Sequence, residues 1–362
     1  MADKIPLIPY GPTAGRRHMA GKPPRPKTLT VDFHGHMFVP AADELVKPHL
    51  SEESHLGRRQ SNPRTREISQ NQFRERFKEW SGIEERLADM DKMDLDVMAV
   101  SCAPPQFHYG VDAGLGHESS QLINDTIADQ IAPRPDRFVG IATVPLQDTG
   151  LALTELERAV NDLGFRGVMV QASVGDEELS AERLEPFWAR CEALEIPVFI
   201  HPASFKTTRF GRNYLTNIIG NPLDTTVAVH YLIFDGVMAR YPRLKVFLAH
   251  GGAFAGAYGA RMDHGFGARP DCRDHIDELP STYLKRFYYD TVVFSVGQLA
   301  YLIDTFGAEH VVLGTDYPAD MGEYNPVEHV YQVEGLEESA REKICGLNAL
   351  DLMGIDESRF RS

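Results

Sequence analysis

The sequence predicts an α/β chain closed into a (β/α)8, or TIM, barrel, and three observations predict it. Eight short β-branched or aromatic runs recur along the chain, helical patterns fill the gaps between them, and the residues best suited to chemistry stand at the ends of those runs. Most runs are apolar throughout rather than alternating, as strands buried on both faces of a parallel sheet require. Eight strands alternating with helices is the arithmetic of a barrel. A doubly wound open sheet is the alternative that strand counting leaves open.

The elements follow in order. Residues 1–27 carry six prolines among several lysines and arginines, so they cannot hold a regular ladder and read as a flexible, extended arm, solvated or packed on an acidic neighbour. Residues 28–362 read as one barrel domain. The first run, 29–33, precedes a polar and charged stretch, 46–80, that is poor in strand signal and reads as an insertion capping the barrel mouth. The remaining runs are 97–101, 138–144, 167–170, 198–200, 246–249, 287–293 and 311–314, with amphipathic helical segments at 151–163, 181–194, 225–240 and 296–306.

Composition narrows the partners. With 37 Lys+Arg against 52 Asp+Glu in 362 residues, the net charge is −15, which repels phosphate backbones and anionic membranes. No basic stripe with interleaved aromatics overrules this, so no nucleic acid is expected. No apolar run approaches the ~20 residues that span a bilayer, and the opening segment lacks a secretory pattern, so the expectation is a cytoplasmic protein with no membrane partner. The four cysteines, Cys102, Cys191, Cys272 and Cys345, form no C-x-x-C pair and read as reduced thiols.

Four histidines stand where they would point out of a barrel's C-terminal mouth: His34 and His36 in VDFHGH, His201 in PVFIH and His250 in KVFLAH. Asp316 in VVLGTD occupies the same place on the last strand. Residues i and i+2 of a strand share a face, so His34 and His36 aim at one point. Imidazoles with a carboxylate are the ligand set of a catalytic zinc or similar divalent ion. A lone histidine at a strand end is more often a hydrogen-bonded structural residue. Five such residues at the ends of strands one, five, six and eight, where barrel enzymes gather their catalytic groups, favour a metal site. His230, His264, His310 and His329 fall in helical or connecting segments and read as structural, whereas Asp290 in FYYDT is placed to orient a ligand histidine.

These motifs, with FVGIATVPLQD, ELERAVNDLGFRGV, YPRLKVFLAHGG, GARMDHGF and EHVVLGTDYP, make the chain resemble the amidohydrolase superfamily, specifically its aminocarboxymuconate-semialdehyde decarboxylase branch. The resemblance runs from about residue 31 to 354. It implies that His34, His36, His201 and Asp316 hold one divalent metal, usually zinc, with manganese as the other choice. It also implies that His250 is the acid/base that activates the metal-bound water, with Asp316 sharing in catalysis. The fourth run reads GVMVQAS, with no lysine for the carbamate bridge of the binuclear members, so one metal is expected.

The same likeness assigns a substrate carboxylate to Arg74, in Asn71-Gln72-Phe73-Arg74, and to Arg261 and Arg269, eleven and nineteen residues after His250. Planar, permanently charged forks suit that task, although ordinary surface ion pairs are the plain alternative. Arg261 would reach into a neighbouring subunit, which implies a homodimer or higher homo-oligomer. One departure stands out: the branch reads His-Pro-Trp-Asp after strand five, and this chain reads His201-Pro202-Ala203-Ser204. The lost indole leaves room that Phe205, Phe107, His108 or Tyr109 would refill.

The expected activity is non-oxidative decarboxylation of an aminocarboxymuconate-semialdehyde-like or hydroxylated aromatic acid. A hydratase, or a hydrolase cleaving a C–C or lactone bond of a ring-fission product, is the alternative on the same site. A metal-binding scaffold without catalysis would leave His250 and the arginines without a task.

Overall fold

The computed structural model describes residues 5, 7–50, 61–203 and 205–361. Parts of the expected arm and cap, and Ser204, lie outside the described residues. The strands are β1 (Val31–Met37), β2 (Val97–Cys102), β3 (Phe138–Gly140), which continues directly as β4 (Ala142–Thr143), and β5 (Val168–Gln171). A small antiparallel hairpin of β6 (Ser173–Val174) and β7 (Glu177–Glu178) follows, then β8 (Val198–His201), β9 (Val246–Leu248), β10 (Tyr288–Asp290) and β11 (Val311–Val312).

Apart from the hairpin, every pairing is parallel, in the order β1-β2-β3 and β4-β5-β8-β9-β10-β11. The Ile141 N–H donates to the Val100 carbonyl and the Ala142 N–H to the Gly167 carbonyl, both at 2.9 Å, which joins the two halves. The ring closes where the Phe33 N–H donates to the Leu313 carbonyl at 2.9 Å and the His36 N–H to the Tyr317 carbonyl at 2.8 Å. Closure removes the open-sheet alternative.

Strand residues are buried almost throughout, which explains the unbroken apolar runs. Phe33, Phe199 and Phe247 pack with ring centroids 4.6 and 4.8 Å apart across the Phe33–Phe247 and Phe199–Phe247 pairs, and Phe199 also touches the rings of His34 and His201. Burying each of these rings contributes about 2–3 kcal/mol and gives the polar residues above them an apolar floor.

Most boundaries shift by a few residues from the sequence reading, the expected helix 151–163 for instance spanning Thr149–Asn161, and three of the shifts have a local cause. β1 runs on through His34 and His36, because the main chain keeps bonding to both neighbouring strands although the side chains turn polar. The expected helix 225–240 divides into Asn221–Phe234 and Val237–Arg240, since Gly236 adopts φ +77° between them. The expected helix 181–194 begins as a short 3-10 turn, Glu182–Leu184, before the helix Glu185–Ala193 with proline in its first turn. The helix Val296–Phe306 has the expected bounds.

The described part of the basic arm is docked rather than free. Lys22 pairs with Asp94 at 2.7 Å and Arg25 with Asp96 at the floor of the barrel, while Arg16 reaches Glu323 at the mouth. Acidic neighbours on the barrel wall, distant in sequence, hold this proline-rich segment. In the 46–80 stretch the helix Pro63–Glu75 forms, capped by the Asn62 side chain, and the Asn62 N–H donates to the Gly211 carbonyl at 2.7 Å. Among the described residues, no helix is long and apolar enough to cross a membrane, and the four cysteines are free.

Candidate metal centre

His34, His36, His201 and Asp316 are buried, and one donor atom from each lies within 4.8 Å of all the others. Nε2 of His34 is 3.1 Å from Nε2 of His36, and Oδ1 of Asp316 is 3.2 Å from the latter and 3.5 Å from the former. A divalent ion with ~2.0–2.1 Å bonds places its tetrahedral ligands ~3.4 Å apart, so these separations fit one ion.

The other nitrogen of each ring is fixed from behind. Nδ1 of His34 meets Oδ2 of Asp290 at 2.7 Å, that of His36 meets Ser101 Oγ at 3.0 Å and the Cys102 carbonyl at 3.1 Å, and that of His201 meets the Pro202 carbonyl at 2.8 Å. Acceptors at Nδ1 place the proton there and leave the Nε2 lone pairs facing inward, which is the tautomer a metal ligand needs. Nε2 of His201 is buried without a hydrogen-bond partner among the described residues, which is costly for a polar atom and fits a lone pair offered to a cation. A metal-binding site is therefore present.

The electrostatics agree with that reading. Burial pushes His36 down to about 4 and His201 well below the usual imidazole range, so both are free bases. Burial opposes the charge on His34 too, yet the carboxylates of Asp316 and Asp290 outweigh it and raise this ring. For Asp316 burial acts upward, but His34, His250 and His36 hold the carboxyl well below its ordinary value. Asp316 thus stays an anion among imidazoles.

Gly35 lets the His-Gly-His turn of the ladder fit. A Cβ there would come within 2.7 Å of Met98 Sδ and 3.1 Å of the Ala99 carbonyl. Behind the same strand, the fully buried Arg86 donates from Nη2 to the His36 carbonyl at 2.6 Å and lies over the Tyr317 ring at 4.9 Å. Asp32 accepts from the His34 N–H at 2.9 Å and the Thr315 N–H at 3.1 Å, tying β1 to the loop that bears Asp316. Burial raises its carboxyl to about 6.

His250 stands beside this four-residue cluster rather than within it. Its Nε2 is 3.3 Å from Oδ2 of Asp316, the oxygen turned away from His36, and its ring centroid lies 5.4 Å from His34 and 5.3 Å from His201. Asp290 holds both groups at once, accepting the main-chain N–H of His250 at 2.8 Å and of Gly251 at 2.6 Å as well as the His34 ring. His250, Gly251 and Gly252 have φ of +56°, +61° and +68°, a left-handed path that turns the imidazole toward the cluster.

The arginines fall elsewhere. Arg74 is exposed and folds back on its own helix, to the Gln70 carbonyl at 3.2 Å and to Asn71 Oδ1. Arg269 is exposed and forms a two-pronged pair with Asp271 at 2.9 and 2.7 Å, and Arg261 is exposed on the helix Gly259–Ala268. Within one protomer none of the three is gathered with the histidines. In the same stretch Arg76 is half-buried instead, paired with Glu79 and Asp89 at 3.1 Å each, its guanidinium 4.7 Å from the Tyr10 ring centroid, 5.8 Å from that of Tyr317 and 6.0 Å from that of Tyr324. Residues two apart on a helix point ~200° apart, so if one of the pair faces the barrel the other faces out. The motif spacing could not say which.

At the rim, the loop after β8 replaces the missing bulk with small side chains. Its Ala203 N–H donates to Asp224 at 3.0 Å, and Tyr214 donates to Asp320 at 3.1 Å, while Phe107 and His108 are buried and Tyr109 packs on Phe107. A cleft of about 500 Å³ lies between residues 61–62 and 208–215, lined by Ser61, Asn62, Arg209, Arg212, Asn213 and Leu215 among others. Arg76, Tyr10, Tyr214 and Asp320 carried no local signal in the sequence.

Comparison with known proteins places this geometry. The family described as amidohydrolase matches residues 31–355. A 2-amino-3-carboxymuconate-6-semialdehyde decarboxylase of Dictyostelium discoideum is 32% identical over 277 residues, covering 76% of this chain and 77% of its own. The solved 2,6-dihydroxybenzoate decarboxylase from Rhizobium superposes with a TM-score of 0.74 at 25% identity, over 90% of this chain and 99% of that one. A dihydroxybenzoic acid decarboxylase of Polaromonas sp., solved with bound manganese and 2-nitroresorcinol, superposes with a TM-score of 0.72 at 23% identity, over 90% and 97% of the two chains. The chain belongs to the amidohydrolase family, in its aminocarboxymuconate-semialdehyde decarboxylase-like branch.

Proposed function

We propose that the protein is a metal-dependent carboxy-lyase that removes carbon dioxide, without an oxidant, from an aminocarboxymuconate-semialdehyde-like or hydroxylated aromatic acid. One observation carries this: His250 sits 3.3 Å from the carboxylate of Asp316 and takes no place in the four-residue metal-binding set, so an acid/base stands directly beside the site where a Lewis acid would be held. The named relatives, which act on a carboxymuconate semialdehyde and on dihydroxybenzoate, supply the substrate class.

His34, His36, His201 and Asp316 would hold the ion. When bound, a divalent ion supplies Lewis acidity toward a substrate oxygen and toward water. The chain's own residues do the rest. Asp316, held as an anion, receives the His250 Nε2–H on its free oxygen and so keeps a proton at hand. His250 delivers that proton to the substrate carbon from which the carboxylate leaves as carbon dioxide, so one C–C bond breaks and one C–H bond forms. Phe199, fully buried against the rings of His34 and His201, gives the site an apolar floor. Three imidazoles and one carboxylate suit zinc, and manganese, which the Polaromonas neighbour holds, is the other ion to try.

Substrate anchoring falls to Arg261, exposed on its helix in one protomer, as the group that a second copy of the chain receives in a homodimer. Arg74 and Arg269 reach a substrate only by giving up their surface partners. The cytoplasm suits four unpaired thiols. The alternative on the same site is addition of water, favoured by the roomier wall at Ala203 and by a 26% identical 2-keto-4-carboxy-3-hexenedioate hydratase of Sphingobium.

Metal-free protein reloaded with zinc or manganese and offered muconate semialdehydes and hydroxybenzoates tests the proposal. Release of carbon dioxide, seen by product mass and abolished by chelator, is expected. Gain of water by the substrate selects the hydratase reading, and turnover that survives complete metal removal refutes both.

A further inference from the structure

The family match begins at residue 31, yet a side chain from the preceding segment is almost wholly buried at the barrel mouth. The Arg16 side chain, 4% exposed, grips that of Glu323, 0% exposed, with both prongs of its guanidinium: Nη1 to Oε2 at 2.6 Å and Nη2 to Oε1 at 2.9 Å. Thr13 Oγ1 adds a third, longer contact at 3.4 Å to the same carboxylate.

Glu323 ends the loop that presents Asp316. Its N–H donates to the Thr315 carbonyl at 2.7 Å, so the loop closes on the residue immediately before Asp316. Inside the loop the Ala319 N–H donates to the Asp316 carbonyl at 2.9 Å and the Gly322 N–H to the Ala319 carbonyl at 3.1 Å. Beyond it, Oε1 of Glu323 accepts the Asn325 N–H at 2.8 Å, and the buried His329 ring stands 3.6 Å from Oε2. On both sides of Arg16 the arm is stitched to the same rim: the Tyr10 ring meets Tyr324 edge-on at 6.2 Å, and the Met19 N–H donates to Glu328 at 2.8 Å.

We propose that Arg16 is a positioning residue of the metal centre: through Glu323 it fixes the loop that offers the Asp316 carboxylate, so divalent-ion affinity depends on the N-terminal segment. The inference rests on the metal-site reading given above. A buried, two-pronged charge pair sets geometry more than it adds stability, and removing one partner strands the other charge. Groups that orient a metal ligand from behind are worth ~10–100-fold in metal affinity.

The test uses the full chain as wild type, Arg16→Lys, Arg16→Met and the double substitution Arg16→Met with Glu323→Gln. Affinity for Mn2+ and for Zn2+ is measured by equilibrium competition with a chelator, and the metal-free forms are unfolded thermally. Arg16→Met, which acts on Asp316 through Glu323 and the loop rather than by direct contact, is expected to weaken ion binding by ~10-fold, the lower end of what a partner bonded to a ligand is worth. Arg16→Lys, which keeps the charge and loses the fork, recovers part of that. The double substitution, which removes both buried charges, unfolds near the wild-type temperature while its affinity stays lowered. Wild-type affinity in the folded double variant overturns the inference, even if Arg16→Met alone does not fold. A wild-type chain that takes up neither ion defeats the metal-site reading itself, a separate and distinguishable failure that takes the inference with it.

Discussion

Replacing Asp290 by asparagine keeps the shape of the side chain and changes what it can accept. The carboxylate receives four N–H groups: His34 Nδ1 at 2.7 Å and the His250 N–H at 2.8 Å on Oδ2, the Gly251 N–H at 2.6 Å and the Val292 N–H at 3.0 Å on Oδ1. An amide turns one of those oxygens into a donor, so two of the four bonds are lost. Hydrogen bonds to a charged group are worth ~1.5–3 kcal/mol each, giving an upper bound of ~3–6 kcal/mol. Where the amide nitrogen faces His34, the ring relieves the clash of donors by moving its proton to Nε2. That proton then occupies the lone pair aimed at the ion. Metal affinity is expected to fall ~10–100-fold, or ~1.4–2.7 kcal/mol. Chelator competition with Zn2+ and Mn2+ at neutral pH measures it. An Asp290→Asn chain that folds and holds either ion as tightly as wild type would refute the argument that this carboxylate sets the His34 tautomer.

Three other outcomes can be checked independently. His250→Ala should abolish turnover while bound metal, by elemental analysis, stays near the wild-type level, and mixing it with an Arg261→Ala chain should restore part of the activity if Arg261 acts across subunits. Asp224 has its carboxyl raised by burial to about 6 despite the Ala203 N–H, so the folded state favours the protonated acid. That contribution is complete below pH ~4 and is lost as pH rises through about 6, worth up to ~3 kcal/mol for two units. Asp224→Asn should therefore gain on wild type between pH 4 and pH 7 in urea unfolding, and an identical difference at both pH values contradicts the shift.

What could be read from the residues was what strand periodicity controls. His34, His36, His201, His250 and Asp316 each sit at or just past an apolar run, and a closed parallel sheet brings run ends to one rim whatever the loops do. Asp290 was readable for the same reason. The local surroundings of the arginines in one protomer were not, because the face of a helix and the pairing of a surface charge depend on neighbours far along the chain. Arg269 has Asp271 beside it, and Arg74 and Arg76 share one short stretch with opposite outcomes. The arm was least legible: the partners of Arg16 and His18 lie more than 300 positions away, at Glu323 and Glu328. Proline content sets what such a segment cannot form, not what it lies against.

The segment 205–215 contributes none of the hydrogen bonds that hold the rings of His34, His36 and His201, which come from Asp290, Ser101, Cys102 and Pro202, nor the contact of Asp316 with His250. It hangs instead from Asn62 and Asp320 at the perimeter. An engineer can therefore exchange this stretch for a longer or bulkier one to admit different acids, and the same freedom gives natural descendants a way to change diet while keeping the old furnace lit.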